Sequence, residues 1–194
     1  LDEPLSALDI HLKWQIETAL REILMGQNIA AILVTHDRDE AFRIAQEIAT
    51  VDRGQLTPPM DRHELFRSPG TCAGARLTGC KNISAARRRD ATHIEATDWG
   101  ITLTVTDNVT DAHHIAIRAH YFVPVQEDGE NVFPAQIVEM IESTFSMIVM
   151  LRFAAGAHLV RWEVDKPAWE ALHVSENASL RICFPPDALM LLRD

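Results

Sequence analysis

The sequence predicts an α/β region built on a parallel sheet, followed by an all-β domain of the OB type. Three observations predict it. Helical and strand patterns alternate from Asp9 to Gly54, the composition breaks between Gln55 and Gly79, and beyond that point the apolar residues recur with period two. A chain of 194 residues has room for two small domains, each with a core of its own.

Leu12, Ile16, Ala19, Leu20, Ile23 and Leu24 share one face at helical spacing, with Asp9 as N-cap and Gly26 as the stop. The compact run from Ile29 to Val34 then reads as a fully buried strand ending at Thr35-His36-Asp37. Asp37 and Glu40 stand at the spacing of a capping box, opening a second helix with Ala41, Phe42 and Ala45 on one face. Ile48 to Val51 is a further short strand and Arg53-Gly54 a turn. Leu1 and its neighbours read as the end of a buried strand, so strands and helices alternate as in a parallel sheet covered on both faces.

A connector follows: Pro58-Pro59, a helical piece at Asp61 to Phe66, Ser68-Pro69-Gly70, and a short helix ending near Gly79. It places the domain boundary at Gly79, giving domains 1–79 and 80–194. In the second, Ile101-Leu103-Val105, Ile115-Ile117, Ile137, Val149-Leu151, Leu159 and Leu180-Ile182 alternate with other neighbours, between turn signals at Asp128-Gly129 and Ala155-Gly156. The spacing suggests a small sandwich or partly open barrel of the OB type. Lys166 to Leu172 reads as a short helix, and Trp99, Trp162 and Trp169 as core or subunit-interface residues.

With 47% hydrophobic and 24% charged residues, the composition is that of a folded globular protein. A net charge of −10 argues against nucleic acid as a partner, because phosphate binding needs clustered Lys and Arg. The one basic run, Arg87-Arg88-Arg89, reads as a solvated loop. Cys72, Cys80 and Cys183 match neither a zinc pair nor a disulfide framework, which points to a reducing compartment. No stretch approaches the ~18 consecutive apolar residues of a spanning helix, so membrane association is expected to run through a partner. His113-His114 and His120 read as exposed strand-end histidines, with no Cys or carboxylate completing a metal set.

The chemistry lies in Leu1-Asp2-Glu3-Pro4-Leu5-Ser6-Ala7-Leu8-Asp9 and in Val34-Thr35-His36-Asp37. Adjacent carboxylates at the C-terminal end of a parallel strand point into the crevice where α/β folds place ligands. One can hold Mg²⁺ through water while the next polarises an attacking water, and a His on the neighbouring strand reaches the same phosphate. This is a constellation for phosphoryl transfer.

LDEPLSALD resembles the end of the Walker B motif joined to the D-loop of ABC-type ATPases, and VTHD followed by RDEAFRIA resembles their switch-histidine region. The resemblance implies a partial P-loop NTPase core of the RecA-like kind, with ATP and Mg²⁺ as cofactors. It assigns Asp2 to the Mg²⁺ site, Glu3 to the general base, Ser6, Ala7, Leu8 and Asp9 to the D-loop at a dimer interface, and His36 to the γ-phosphate. Ile115-Ala116-Ile117-Arg118, the segment Phe133 to Glu139, and the segment Phe184 to Leu189 are similar to strands of the TOBE or MOP-like accessory domain of importer ATPases of the sulfate, molybdate, maltose and polyamine groups. The implied protein is a homodimeric ATPase, cytoplasmic and peripheral on the inner face of the membrane. It would drive transmembrane permease subunits, with a substrate-binding protein as an indirect partner and molybdate or sulfate as the favoured substrate.

The sequence departs from this pattern in holding no G-x-x-x-x-G-K-[ST] loop, no LSGGQ-type signature and no Q-loop. All precede Walker B in the family, so the chain is expected to be a C-terminal portion that by itself neither binds ATP tightly nor hydrolyses it. The accessory region also lacks the Ser-Ala-Arg-Asn sequence of molybdate-binding modules. The rival reading is a stand-alone OB-like module for anion binding, regulation or dimerisation.

Overall fold

The structure, a computed structural model, describes residues 1–27, 30–106, 111–175 and 178–194, with the Ile10 side chain left out. The chain divides into two units, Leu1–Arg67 and Ser68–Asp194. The compositional boundary at Gly79 lies inside the second.

In the first unit, helix α1 (Ile10–Gly26) starts at Asp9, whose carboxylate accepts from the Leu12 N–H at 2.9 Å. Helix α2 (Arg38–Ile44) starts at Asp37, which accepts from the N–H groups of Asp39 and Glu40 at 2.9 and 3.1 Å. The capping box is half made. Glu40 is buried and points its Oε2 to within 3.5 Å of Lys13 Nζ on α1, while the Asp37 N–H donates to Thr35 Oγ1 at 3.1 Å. Two ion pairs join the helices: Lys13 Nζ lies 2.5 Å from Asp37 Oδ2, and Arg43 grips the buried Glu17 with both Nε and Nη2, a forked geometry only Arg supplies.

The expected parallel sheet is not formed among the described residues. Ile29 lies outside them, and the stretch from Ala30 to Val34 makes no strand, only one isolated parallel bridge between Asp2 and Val34. The physical reason is cover: a parallel ladder persists where neighbouring strands and helices bury both faces, and Ile32 and Val34 are 81% and 53% exposed. The strand expected over Ile48 to Val51 is likewise divided. β1 (Glu47–Ile48) pairs antiparallel with β4 (Met60–Asp61), and β2 (Val51–Asp52) forms a hairpin with β3 (Gln55–Leu56). At its tip Arg53 and Gly54 both have positive φ, 47° and 77°, as a two-residue hairpin loop with the twist of its strands requires. After β4 comes α3 (Arg62–Arg67), where Arg62 Nη1 donates to the carbonyls of Phe42 and Ala45 at the end of α2.

The second unit opens with α4 (Cys72–Leu77), capped by Thr71 Oγ1 on the Gly74 N–H at 3.0 Å. The remaining elements are β5 (Asn82–Arg88), β6 (His93–Ala96), β7 (Ile101–Thr104), β8 (His114–Ile117), β9 (Val123–Val125), β10 (Val132–Glu142), β11 (Ser146–Arg152), β12 (Val160–Asp165), α5 (Lys166–Leu172), β13 (Ser179–Cys183) and β14 (Leu189–Leu192). They form two five-stranded sheets, ordered β12-β11-β10-β13-β9 and β14-β8-β5-β6-β7, with every pairing antiparallel. The long strand β10 shifts register between Ile137 and Glu139, the kind of irregularity that bends a strand.

Alternation drives the packing. Ile101, Leu103 and Val105 face one core with Ile115, Ile117, Ile137, Val149, Leu151 and Ile182. Phe184 is its hub, fully buried and in ring contact with Trp99, Phe122, Phe133 and Phe153 at centroid distances of 6.0, 4.9, 5.8 and 5.0 Å. Two buried asparagines tie one sheet to the other by imitating a strand. Asn82 on β5 donates to the Arg161 carbonyl and accepts from the Arg161 N–H, both at 2.8 Å, and Asn131 makes the same pair with Thr104 at 2.7 Å. The run Arg87-Arg88-Arg89, expected in a loop, sits exposed on the end of β5 and just past it, with Arg89 paired to Glu95 at 2.9 Å.

Candidate functional site

The isolated bridge of the first unit is what assembles the sequence-predicted residues. Glu3 N–H donates to the Val34 carbonyl and Val34 N–H to the Leu1 carbonyl, both at 2.8 Å, so the acidic pair and the Thr35-His36 segment leave the bridge side by side. Glu3 then turns through φ 41°, the left-handed region that costs a non-glycine residue about 1 kcal/mol. Such strain persists where its surroundings enforce it and is often found at functional positions. Here Ser6 enforces it, holding the Glu3 carbonyl with its N–H at 3.3 Å and its Oγ at 2.9 Å.

The result is a direct contact between the two motifs: His36 Nδ1 lies 2.8 Å from Glu3 Oε1. An ionised carboxylate offers only acceptors, so in that state the shared proton sits on Nδ1. Both side chains are exposed, at 73% for His36 and 45% for Glu3, so the contact adds little to stability and leaves both groups accessible. Asp2 is exposed beside them. Ser6, Ala7 and Leu8 turn away over the buried Leu5, with the Leu8 N–H on the Leu5 carbonyl at 3.3 Å, and Asp9 is committed to capping α1. The structure thus joins Glu3 to His36, holds the Asp2 backbone against Val34, and uses Ser6 and Asp9 as backbone supports. Asp2 and Glu3 carry hard carboxylate oxygens, the donor type Mg²⁺ takes, and a His36 ring protonated at both nitrogens keeps an Nε2–H to donate once its Nδ1–H is on Glu3.

Sequence reasoning missed Lys13. It stands on the first turn of α1, directly after the Ser6–Asp9 segment, and its hydrogen bond is the largest cause holding the Asp37 carboxyl down at about 2, with the Glu40 and Asp39 N–H groups adding to it against partial burial. Asp37 adjoins His36, so this ion pair connects the helices that carry the two motifs. The available signal was a Lys one turn past a helix start, too common to single out.

Two further features lie in the second unit. A cavity of about 460 Å³ is lined by His120, Phe122, Trp162, Glu163, Asp165 and Leu172. Its two carboxylates make poor walls for an oxyanion, and the nearby Arg161 already pairs with Glu163 at 2.6 Å. The other feature corrects the sequence reading of His114: Cys72 and Asp194 stand beside it, and one ligand atom from each of the three lies within 4.8 Å of the others.

No family model matches the chain. Individual proteins do. The spermidine/putrescine import ATP-binding protein PotA of Roseobacter denitrificans is 30% identical over 168 residues, which are 82% of this chain and 46% of that protein. The Fe(3+) ions import ATP-binding protein FbpC of Haemophilus influenzae is 40% identical over 79 residues, 41% of this chain and 22% of that protein. The chain is a homologue of the ATP-binding proteins of ABC importers. It spans about half the length of the curated PotA relatives it matches, 46% of the Roseobacter protein. Among solved structures, the cytoplasmic molybdate-binding protein ModG in its molybdate-bound form covers 60% of this chain and 98% of its own, with a TM-score of 0.47 and 14% identity. A likeness at that level identifies no ligand. No helix among the described residues is long and apolar enough to cross a membrane.

Proposed function

We propose that this chain carries the Walker B, D-loop and switch-histidine portion of an importer ATPase that hydrolyses ATP to drive a solute through transmembrane permease subunits. The observation that supports it best is the 2.8 Å contact between Glu3 and His36, which unites two motifs 33 residues apart. In this reading residues 1–79 belong to the ATPase domain with its connector and residues 80–194 form an OB-like TOBE accessory domain. The subunit works as a homodimer at the inner face of the membrane, with a substrate-binding protein upstream of the permease.

Mg²⁺ would neutralise charge on the phosphates of ATP when bound, and Asp2 is the residue to hold it, through water. Glu3 accepts the proton of the attacking water at its carboxylate. The left-handed turn at Glu3 aims that carboxylate across to His36, and His36, in its doubly protonated form, keeps Nδ1–H on Glu3 and presents Nε2–H to the γ-phosphate. Ser6, Ala7, Leu8 and Asp9 face the partner subunit's site as the D-loop. For the substrate, the resemblance of the accessory strands to the molybdate and sulfate group stands beside relatives named for spermidine/putrescine and for Fe(3+). We therefore commit to import of a small solute, with molybdate or sulfate as the finer proposal.

The test is a chimera that places this chain after the phosphate-binding portion of the Roseobacter relative. It is expected to hydrolyse ATP, with Glu3→Gln lowering kcat by about 10²-fold or more while nucleotide affinity holds. Glu3→Gln turnover at the unsubstituted rate would refute the assignment. The chain alone is expected to show no ATP binding by calorimetry. A second reading, the stand-alone regulatory or dimerisation module, draws on the self-sufficient core of the second unit. It requires a concentration-dependent mass for that unit in analytical ultracentrifugation.

A further inference from the structure

We propose that Cys72, His114 and Asp194 form a binding site for a single divalent transition-metal ion of the zinc class, at the corner of the β unit where α4, β8 and β14 meet. The three residues come from distant stretches of chain, and one potential ligand atom of each lies within 4.8 Å of the other two. Ligands at 2.0–2.3 Å in a tetrahedral shell stand about 3.5 Å apart, so small side-chain rotations close the set.

The backbone holds this corner together before any ion is considered. Strand β14 pairs with β8 so that Leu192 lies opposite His114, and the His113 N–H donates to the Leu192 carbonyl at 2.9 Å. Arg193 N–H donates to the Gly70 carbonyl at 3.0 Å, bringing the end of β14 against the approach to α4. The Cys72 N–H then donates to Asp194 Oδ1 at 2.6 Å, and His114 Nδ1 contacts the Asp194 main-chain oxygen. Preassembly of this kind removes most of the ordering cost of a site.

The donor set selects the ion. A thiolate, an imidazole and a carboxylate together suit Zn²⁺ and its neighbours, whereas Mg²⁺ and Ca²⁺ take oxygen-only shells. Cys72 is buried, His114 half-buried and Asp194 exposed, so the set has a dry floor and an open side. Three protein ligands with an open side leave the fourth position to water. On binding, the Cys72 S–H bond gives its proton to the buffer as the sulfur–metal bond forms. Cys80 and Cys183 lie outside the set.

The experiment titrates the chain, freed of metal by a chelator, with Zn²⁺ by calorimetry and with Co²⁺ by absorption. One equivalent is expected to bind with micromolar affinity or tighter, and Co²⁺ should give four-coordinate d–d bands and a sulfur-to-cobalt charge-transfer band. Cys72→Ser should abolish that band, and His114→Ala and Asp194→Asn should each weaken binding about tenfold or more, while Cys183→Ser changes nothing. Because Cys72 is packed among buried residues, its variant is read together with Asp194→Asn, whose side chain is exposed and whose fold is checked by circular dichroism. Absence of one-equivalent binding, absence of the charge-transfer band, or binding indifferent to both His114→Ala and Asp194→Asn overturns the site.

Discussion

The two units of this chain are held together by different physics. Among the described residues, the apolar side chains buried in Leu1–Arg67 are Leu5 and Leu65, while Trp14, Met25 and Ile32 are 62%, 69% and 81% exposed. What joins α1 to α2 is charge, the Lys13–Asp37 and Arg43–Glu17 pairs. Ser68–Asp194 instead closes an apolar core around Phe184. Ion pairs near the surface contribute about 0–1 kcal/mol, whereas burying one large apolar side chain contributes about 1.5–3 kcal/mol. Stability is therefore expected in the second unit, while the residues proposed to be catalytic stand in the first, on a strained turn and an isolated bridge. The lesson is that the part of a chain proposed to carry the chemistry can be the part with the smaller apolar core.

The largest effect expected is in the apolar unit. Phe184→Ala removes the ring shared by four aromatic neighbours and should cost about 3–5 kcal/mol, read by urea unfolding followed through the fluorescence of Trp99. Exchange of amides in α1 should hardly change, and an equal loss of protection in both units would break the contrast. Next comes Asn82→Ala, which leaves the half-buried N–H and carbonyl of Arg161 without their side-chain partners and should cost about 1–2 kcal/mol. Leucine in place of that Asn should not restore the loss, since the contribution is polar.

The smallest effect is the pH response of the charged unit. Asp37 is held at about 2, below its ordinary value of 3.8, so its contribution is complete above about pH 4 and lost as the pH falls through about 2. With the pair partly exposed, about 1 kcal/mol is at stake. Hydrogen exchange in α2 should accelerate across that window while β10 and β11 stay protected. Asp37→Asn should flatten the response, and an α2 that ignores pH would show that charge is not what holds it.

What could be read in advance was local. Asp9 and Asp37 declare themselves as caps because the cap bonds reach only two or three residues along the chain. The period-two residues of β7, β8 and β11 declare a buried face. Leu159 misled: it is half-buried, and Val160 takes the inward place, because pairing with Leu151 sets the register of β12. The run from Ala30 to Val34 looked like a strand because its composition records a demand for burial, and composition does not supply the neighbours that meet it.

The sequence by itself determined the family resemblance, the caps, the candidate residues Asp2, Glu3 and His36, and the strand-rich character of the second half, because each is written in side chains close together along the chain. Only the tertiary structure decided that Glu3 and His36 touch, that Asn82 and Asn131 fasten one sheet to the other, and that Cys72, His114 and Asp194 share a corner. Those contacts depend on strand register and on backbone partners. A backbone N–H or carbonyl is the same at every position, so no pattern of residues announces where such a partner will stand.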